Sequence, residues 1–162
     1  MRYLNTFISL ILFLLPFTLS AQTSFQKQMQ TEFIMVENGG TIEIPAGNYQ
    51  MNASLWLDGK EDITIKGAGL KKTILSFKKQ TEGAEGIKIT NSKNIRLEGL
   101  TLEDTKGDAV KTQDVDGMAF VEVATIWTGK AKATNGAYGL YPVQCQNVLI
   151  DKCEAVGASD AG

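Results

Sequence analysis

An inward-facing pair of residues, apolar at most positions and with one residue between its members, recurs four times along the chain, and a second pair follows each one eight residues later. Leu55/Leu57 lead to Ile63/Ile65, Ile87/Ile89 to Ile95/Leu97, Val110/Thr112 to Met118/Phe120, and Leu140/Pro142 to Val148/Ile150. Spacing of i and i+2 puts both members of a pair on one face of a strand. The four units start 32, 23 and 30 residues apart, so the spacing is fixed within a unit and variable between units. That is the pattern of a solenoid in which each unit is one coil. A unit of a few short strands cannot bury its own apolar side chains, and only stacking on the next coil dries them. The expected fold is all-β, a parallel β-helix.

A third strand adds Leu100/Leu102, Val123/Thr125 and Cys153/Ala155, five and seven residues after the start of the second. From Leu102 to Val110 is eight residues, whereas from Thr125 to Leu140 is fifteen, so an insertion of seven lies within Trp127 to Tyr138. The shorter step applied to Ala155 leads to position 163, one beyond Gly162. The repeat therefore reads as an incomplete N-terminal portion of a longer β-helix, stopped in mid-coil.

The first residues read differently. Arg2, the apolar run Phe7 to Leu19 and the small residues around Ser20 and Ala21 have the form of a secretory signal over residues 1–21. A secreted or periplasmic destination follows, with no membrane span after signal cleavage. Phe25, Met29, Phe33 and Val36 then fall at helical spacing before Asn38-Gly39-Gly40. A short capping helix within residues 22–40 would cover the open first coil, leaving 41–162 for the coils.

Composition narrows the chemistry. The chain has no histidine, which removes Ser-His-Asp and Cys-His catalysis, His-ligated zinc and a His general base together. A formal charge of −2 with interspersed signs gives no basic surface for nucleic acid. Cys145 and Cys153 occupy the same repeat positions as Val115 and Val123, which are interior columns, so buried thiols are expected and a disulfide is the alternative.

The segment Gly40-Thr41-Ile42-Glu43-Ile44-Pro45-Ala46-Gly47-Asn48-Tyr49, followed by Leu55-x-Leu57-x-Gly59 and Ile63-Thr64-Ile65-Lys66-Gly67-Ala68-Gly69, resembles the opening coils of right-handed parallel β-helix proteins of the pectin-lyase-like superfamily. Asn135 to Cys145 with Gly157 to Gly162 is similar to a narrower group of exported β-helix repeat proteins within it. The resemblance spans nearly all of the mature chain. It implies a right-handed coil, is specific for fold and weak for chemistry, and assigns no catalytic residue.

Alternation sends the middle residue of each first-strand pair outward: Trp56, Lys88, Lys111 and Tyr141. Stacked coils would align them at ~4.8 Å steps, a spacing that suits an extended acidic polysaccharide. The insertion would bring Trp127, Asn135 and Tyr138 beside this face. Asp104 and Asp108 before Val110, and Asp160 near the chain end, are the acidic candidates. A lyase or epimerase acting on a uronate needs a base, here Lys111 or Tyr141, and a cationic stabiliser, here Lys88 or a calcium ion held by Asp104 and Asp108. A hydrolase would pair Asp108 with Asp160. A non-catalytic surface or glycan-binding module is the alternative to all three. Asp62, Asn94 and Asn147 recur before the second strand with Gly117 in the same place, a structural column that tolerates left-handed backbone.

Overall fold

The structure, a computed structural model, describes residues 18–129 and 131–162, with side chains from Phe25 onward. The predicted signal lies outside these residues, except that the backbone of 18–21 belongs to the first helix. That helix, α1 (Thr18–Met35), begins ahead of the expected boundary at 22. Ten strands follow: β1 (Thr41–Ile44), β2 (Gly47–Gln50), β3 (Ala53–Asp58), β4 (Thr64–Gly67), β5 (Thr73–Ser76), β6 (Glu82–Glu103), β7 (Val110–Ile126), β8 (Leu140–Val143), β9 (Gln146–Asp151) and β10 (Glu154–Val156). They form a parallel β-solenoid of about four turns. No helix among the described residues is long and apolar enough to cross a membrane.

The pairing follows the repeat. Leu55 pairs with Ile87, Ile87 with Val110, and Val110 with Leu140. On the second strand Ile65 pairs with Leu97, Leu97 with Phe120, and Phe120 with Ile150. The inward columns make one continuous core from Phe33 and Ile42 through Leu57, Ile89 and Leu97 to Phe120 and Val123. One insertion is not enough to describe the coils, however. Leu75 pairs with Leu102, so the coil that starts at Leu55 carries five extra residues between β4 and β5, and four more between β5 and Ile87.

Single left-handed residues turn the corners, and they stack. Gly59, Asn91, Asp114 and Gln144 form one column with φ of 63°, 49°, 54° and 51°, and Asp62, Asn94, Gly117 and Asn147 form the next with φ of 59°, 51°, 80° and 52°. A third contains Gly99, Glu122 and Lys152. Between corners the carboxamides bond upward, Asn94 Nδ2 to Asp62 Oδ1 at 2.9 Å and Asn147 Nδ2 to Asp116 Oδ1 at 2.7 Å. These bonds help to offset the cost of left-handed backbone in non-glycine residues.

The helix covers the first coil as expected. Met29 and Phe33 are buried in the core, and Phe25 stacks on Tyr49 with ring centroids 3.7 Å apart. Gln30 acts as a strand substitute: its Nε2 donates to Trp56 O and its Oε1 accepts from Trp56 N, both at 3.0 Å. This satisfies the free edge of β3. At the other end the inward-facing Val148 and Ile150 are 38% and 54% exposed, because nothing among the described residues stacks on that edge. For the same reason Cys145 and Cys153 are half-buried free thiols, not fully buried ones, each bonded to a carbonyl two residues back.

Candidate functional site

Trp56, Lys88, Lys111 and Tyr141 stand in register on the outer face of the first strand of successive coils. The i±1 neighbours of Trp56, Lys88 and Lys111 are buried in the core, which fixes their outward direction, while Leu140 and Pro142 beside Tyr141 on the last coil are half-buried. Lys88 Nζ lies 6.0 Å from the centroid of the Trp56 ring, and Lys111 Nζ lies 5.6 Å from that of Tyr141. Each ammonium is thus held on an aromatic face. The Trp56 ring is 52% exposed, and its orientation is set from the next column. Its Nε1 donates to Thr90 Oγ1 at 2.9 Å, Thr90 donates to Asp58 Oδ1, and Asn91 donates to the same oxygen at 2.8 Å. These two bonds, Thr90's first, hold the Asp58 carboxyl below its ordinary value.

The turns before the first strands supply the other wall. Tyr138 stacks on Tyr141 with centroids 4.2 Å apart, and its hydroxyl donates to Asp160 Oδ2 at 2.8 Å. That bond and the Asp160 charge hold the phenol of Tyr138 above its usual value. Tyr138 and Ala161 are bridged as neighbouring strands are, which is how Asp160 reaches this position from near the chain end. Burial raises the Asp108 carboxyl first of all; the charge of Lys111 and a backbone hydrogen bond from Tyr138 oppose the shift, and Glu85 adds to it. Asp108, Lys111, Tyr138, Tyr141 and Asp160 therefore form one patch at the end of the column that carries the insertion. At the opposite end, Glu82, Glu85, Ser54, Trp56 and Lys88 line a cavity of about 490 Å³.

Three expected members lie elsewhere. Trp127 is 5% exposed, packs on the core and donates from Nε1 to Thr105 O at 2.8 Å, so it is no platform beside the column. Its indole satisfies a turn carbonyl and walls the start of the insertion. Asn135, at the same turn, donates to Gly157 O at 2.7 Å. Asp104 faces the insertion as well: Thr128 N donates to its Oδ1 at 2.8 Å and Thr128 Oγ1 to its Oδ2 at 2.7 Å. Both Asp104 oxygens thus accept from Thr128 across this turn, and no group of three or more metal-ligating acidic or thiol side chains gathers among the described residues. Glu82, Glu85, Asp58 and Thr90 were not legible as site residues. The first two lie in the unanticipated insertion before Ile87, and the last two read as ordinary strand-end polar residues.

No family model matches the chain, and no curated protein matches it. Among solved structures, the chain is similar to one described as a "putative glycosyl hydrolase" from Parabacteroides merdae, with 12% sequence identity and a TM-score of 0.46 over 82% of this chain and 87% of that one.

Proposed function

We propose that the protein binds an extended acidic polysaccharide along the Trp56–Lys88–Lys111–Tyr141 column and acts on it at the Asp108–Lys111–Tyr138–Tyr141–Asp160 patch. The observation that carries this reading is the column: two rings with two ammonium groups between them, in register across four coils. Rings stack on sugar faces, ammonium groups pair with carboxylates, and the ~4.8 Å coil step is close to the length of one sugar residue. The resemblance of the opening coils to pectin-lyase-like proteins supports the same reading. Export directed by residues 1–21 would bring the protein to such polymers.

Two chemistries fit the patch. In β-elimination on a uronate, a base removes the proton beside the carboxylate, a cation carries the enolate-like charge, and an acid protonates the departing oxygen. Tyr141 serves as base, Lys111 as the cation and Asp108, held toward its protonated form, as the acid. In hydrolysis Asp108 is again the acid and Asp160 is the second carboxylate, two carboxyl groups in unlike surroundings. A passive glycan platform is the second functional reading, favoured by the exposed Trp56 ring and by lysines already seated on rings.

The test is to incubate the full-length chain with a panel of uronate polysaccharides, following ultraviolet absorbance of unsaturated products, new reducing ends, and affinity. Elimination raises the absorbance, hydrolysis raises reducing ends alone, and a platform gives binding without product. In each case Lys88→Gln/Lys111→Gln weakens binding about fivefold or more. Absence of both binding and product on every acidic glycan overturns the proposal.

A further inference from the structure

A second cavity, of about 430 Å³, lies on the other side of the inserted turn. Lys78, Lys106 and Lys132 line it together with Trp127, Thr128 and Asp104. The three lysines come from three separate segments: the loop after β5, the turn between β6 and β7, and the insertion before β8. None of them forms an ion pair among the described residues, whose ion pairs involve Lys66, Lys93 and Arg96. Asp104 is the one carboxylate on the lining, and Thr128 takes up both its oxygens. Glu103, adjacent in sequence, is pushed toward its protonated form by burial first and then by the Asp104 charge, with Lys78 acting against the shift. The walls are fixed: Trp127 is anchored to Thr105, and Asn135 to Gly157.

We infer that this cavity is a binding site for a tetrahedral oxyanion of the sulfate class, separate from the polysaccharide column. Three lysines brought to one lining from three separate segments act as point charges and suit an anion with oxygens in several directions. A planar carboxylate is better matched by the fork of an arginine, and the lining has none. The oxyanion is either free or a sulfate ester carried by a sugar, and the two sources share this chemistry.

The site can be read optically, because the chain has two tryptophans and one of them lines the cavity. In full-length protein carrying Trp56→Phe, emission from Trp127 is followed while sodium sulfate replaces sodium chloride at constant ionic strength. A saturable change with sulfate and none with chloride is expected. Lys106→Gln/Lys132→Gln in that background should weaken it about tenfold with the melting temperature retained, whereas Lys88→Gln/Lys111→Gln should leave it within about twofold. A sulfated monosaccharide that binds more tightly than inorganic sulfate supports the site with a glycan ester as its source; equal affinity supports it with the free ion. No sulfate-specific saturation, or equal loss in both double variants, overturns the inference. Because the column variants are a separate arm, failure here is distinguishable from failure of polysaccharide binding.

Discussion

Replacing Gly136 by alanine should disturb the candidate site through backbone contact alone. A Cβ at this position would lie 1.7 Å from Gly107 O and 2.7 Å from Trp127 Cζ2, where real Cβ contacts stay beyond 3.0 Å. The turn must therefore move by at least 3.0 − 1.7 = 1.3 Å away from a backbone oxygen that has no side-chain freedom to yield. Gly136 O accepts from Ser159 N at 3.0 Å, and Ala137 O accepts from Asp160 N and Ala161 N at 3.1 Å, so the displacement passes to Tyr138 and Asp160. Overpacking of this kind costs about 1–3 kcal/mol. For a chain of this size that lowers the melting temperature by roughly 3–10 °C. Gly129→Ala in the same insertion is the control, because its Cβ would meet nothing within 4 Å. Thermal unfolding by circular dichroism and titration with the best-binding glycan read the two effects. Gly136→Ala should melt lower and bind less, with Gly129→Ala unchanged in both. Equal melting temperatures within about 1 °C, with equal affinity, would refute the close packing of coils at this turn.

Asp108→Asn should trade activity for stability. Burial makes this carboxyl harder to ionise in the folded state, so its contribution to folding is complete below the unfolded value and is lost as pH rises through the raised folded one. The variant should therefore melt higher than the parent at pH 7, with the gap closing below ~pH 4, while any turnover falls. Asp58 has the opposite sign: its lowered value adds stability above the unfolded value that is lost as pH falls through the folded one. Thr90→Val removes the hydrogen bond that does most to lower it and the partner of Trp56 Nε1, so it should flatten this acid dependence and red-shift Trp56 emission in a Trp127→Phe background. Gln30→Ala exposes both backbone groups of Trp56 at the capped edge, and denaturant unfolding should show a loss of about 1–2 kcal/mol.

The column was readable because it needed only two things, a period of two along a strand and a constant step between strands. Lys88 opposite Trp56, and Tyr141 opposite Lys111, follow from counting alone. Trp127 did not follow, because a residue inside an insertion has no register partner and its burial depends on how the turn folds back. The partner of Asp104 is hidden for the same reason, because Thr128 lies across that turn. The corner at Asp62, Asn94 and Asn147 announced itself by residues that accept left-handed backbone, but Gln144, Glu122 and Lys152 carry no such signature. Their φ values are imposed by the coils they stack on. Glu82 and Glu85 are hidden because the first coil carries two insertions that shift its third strand out of the common spacing.

What unites the site residues is the turn that precedes the first strand of each coil. Asp108 and Tyr138 occupy it, Glu85 stands in the equivalent place at the start of β6, and Asp160 reaches the same place beside Ala161. Coil-to-coil pairing constrains the strands to one length and one register, but it leaves this turn free to lengthen, as it does by four residues before Ile87 and by seven before Leu140. The strands can therefore supply only evenly spaced groups, which is what a polymer of regular repeat requires, whereas the turns can place unlike groups beside them. A carboxyl that resists ionisation at Asp108 and a carboxylate bonded to Tyr138 at Asp160 are that unlike pair. Under the proposed function, recognition and chemistry would have different structural origins on one face. Substitutions in the column should alter affinity along the whole polymer, while substitutions in the turns should alter what happens at one position of it.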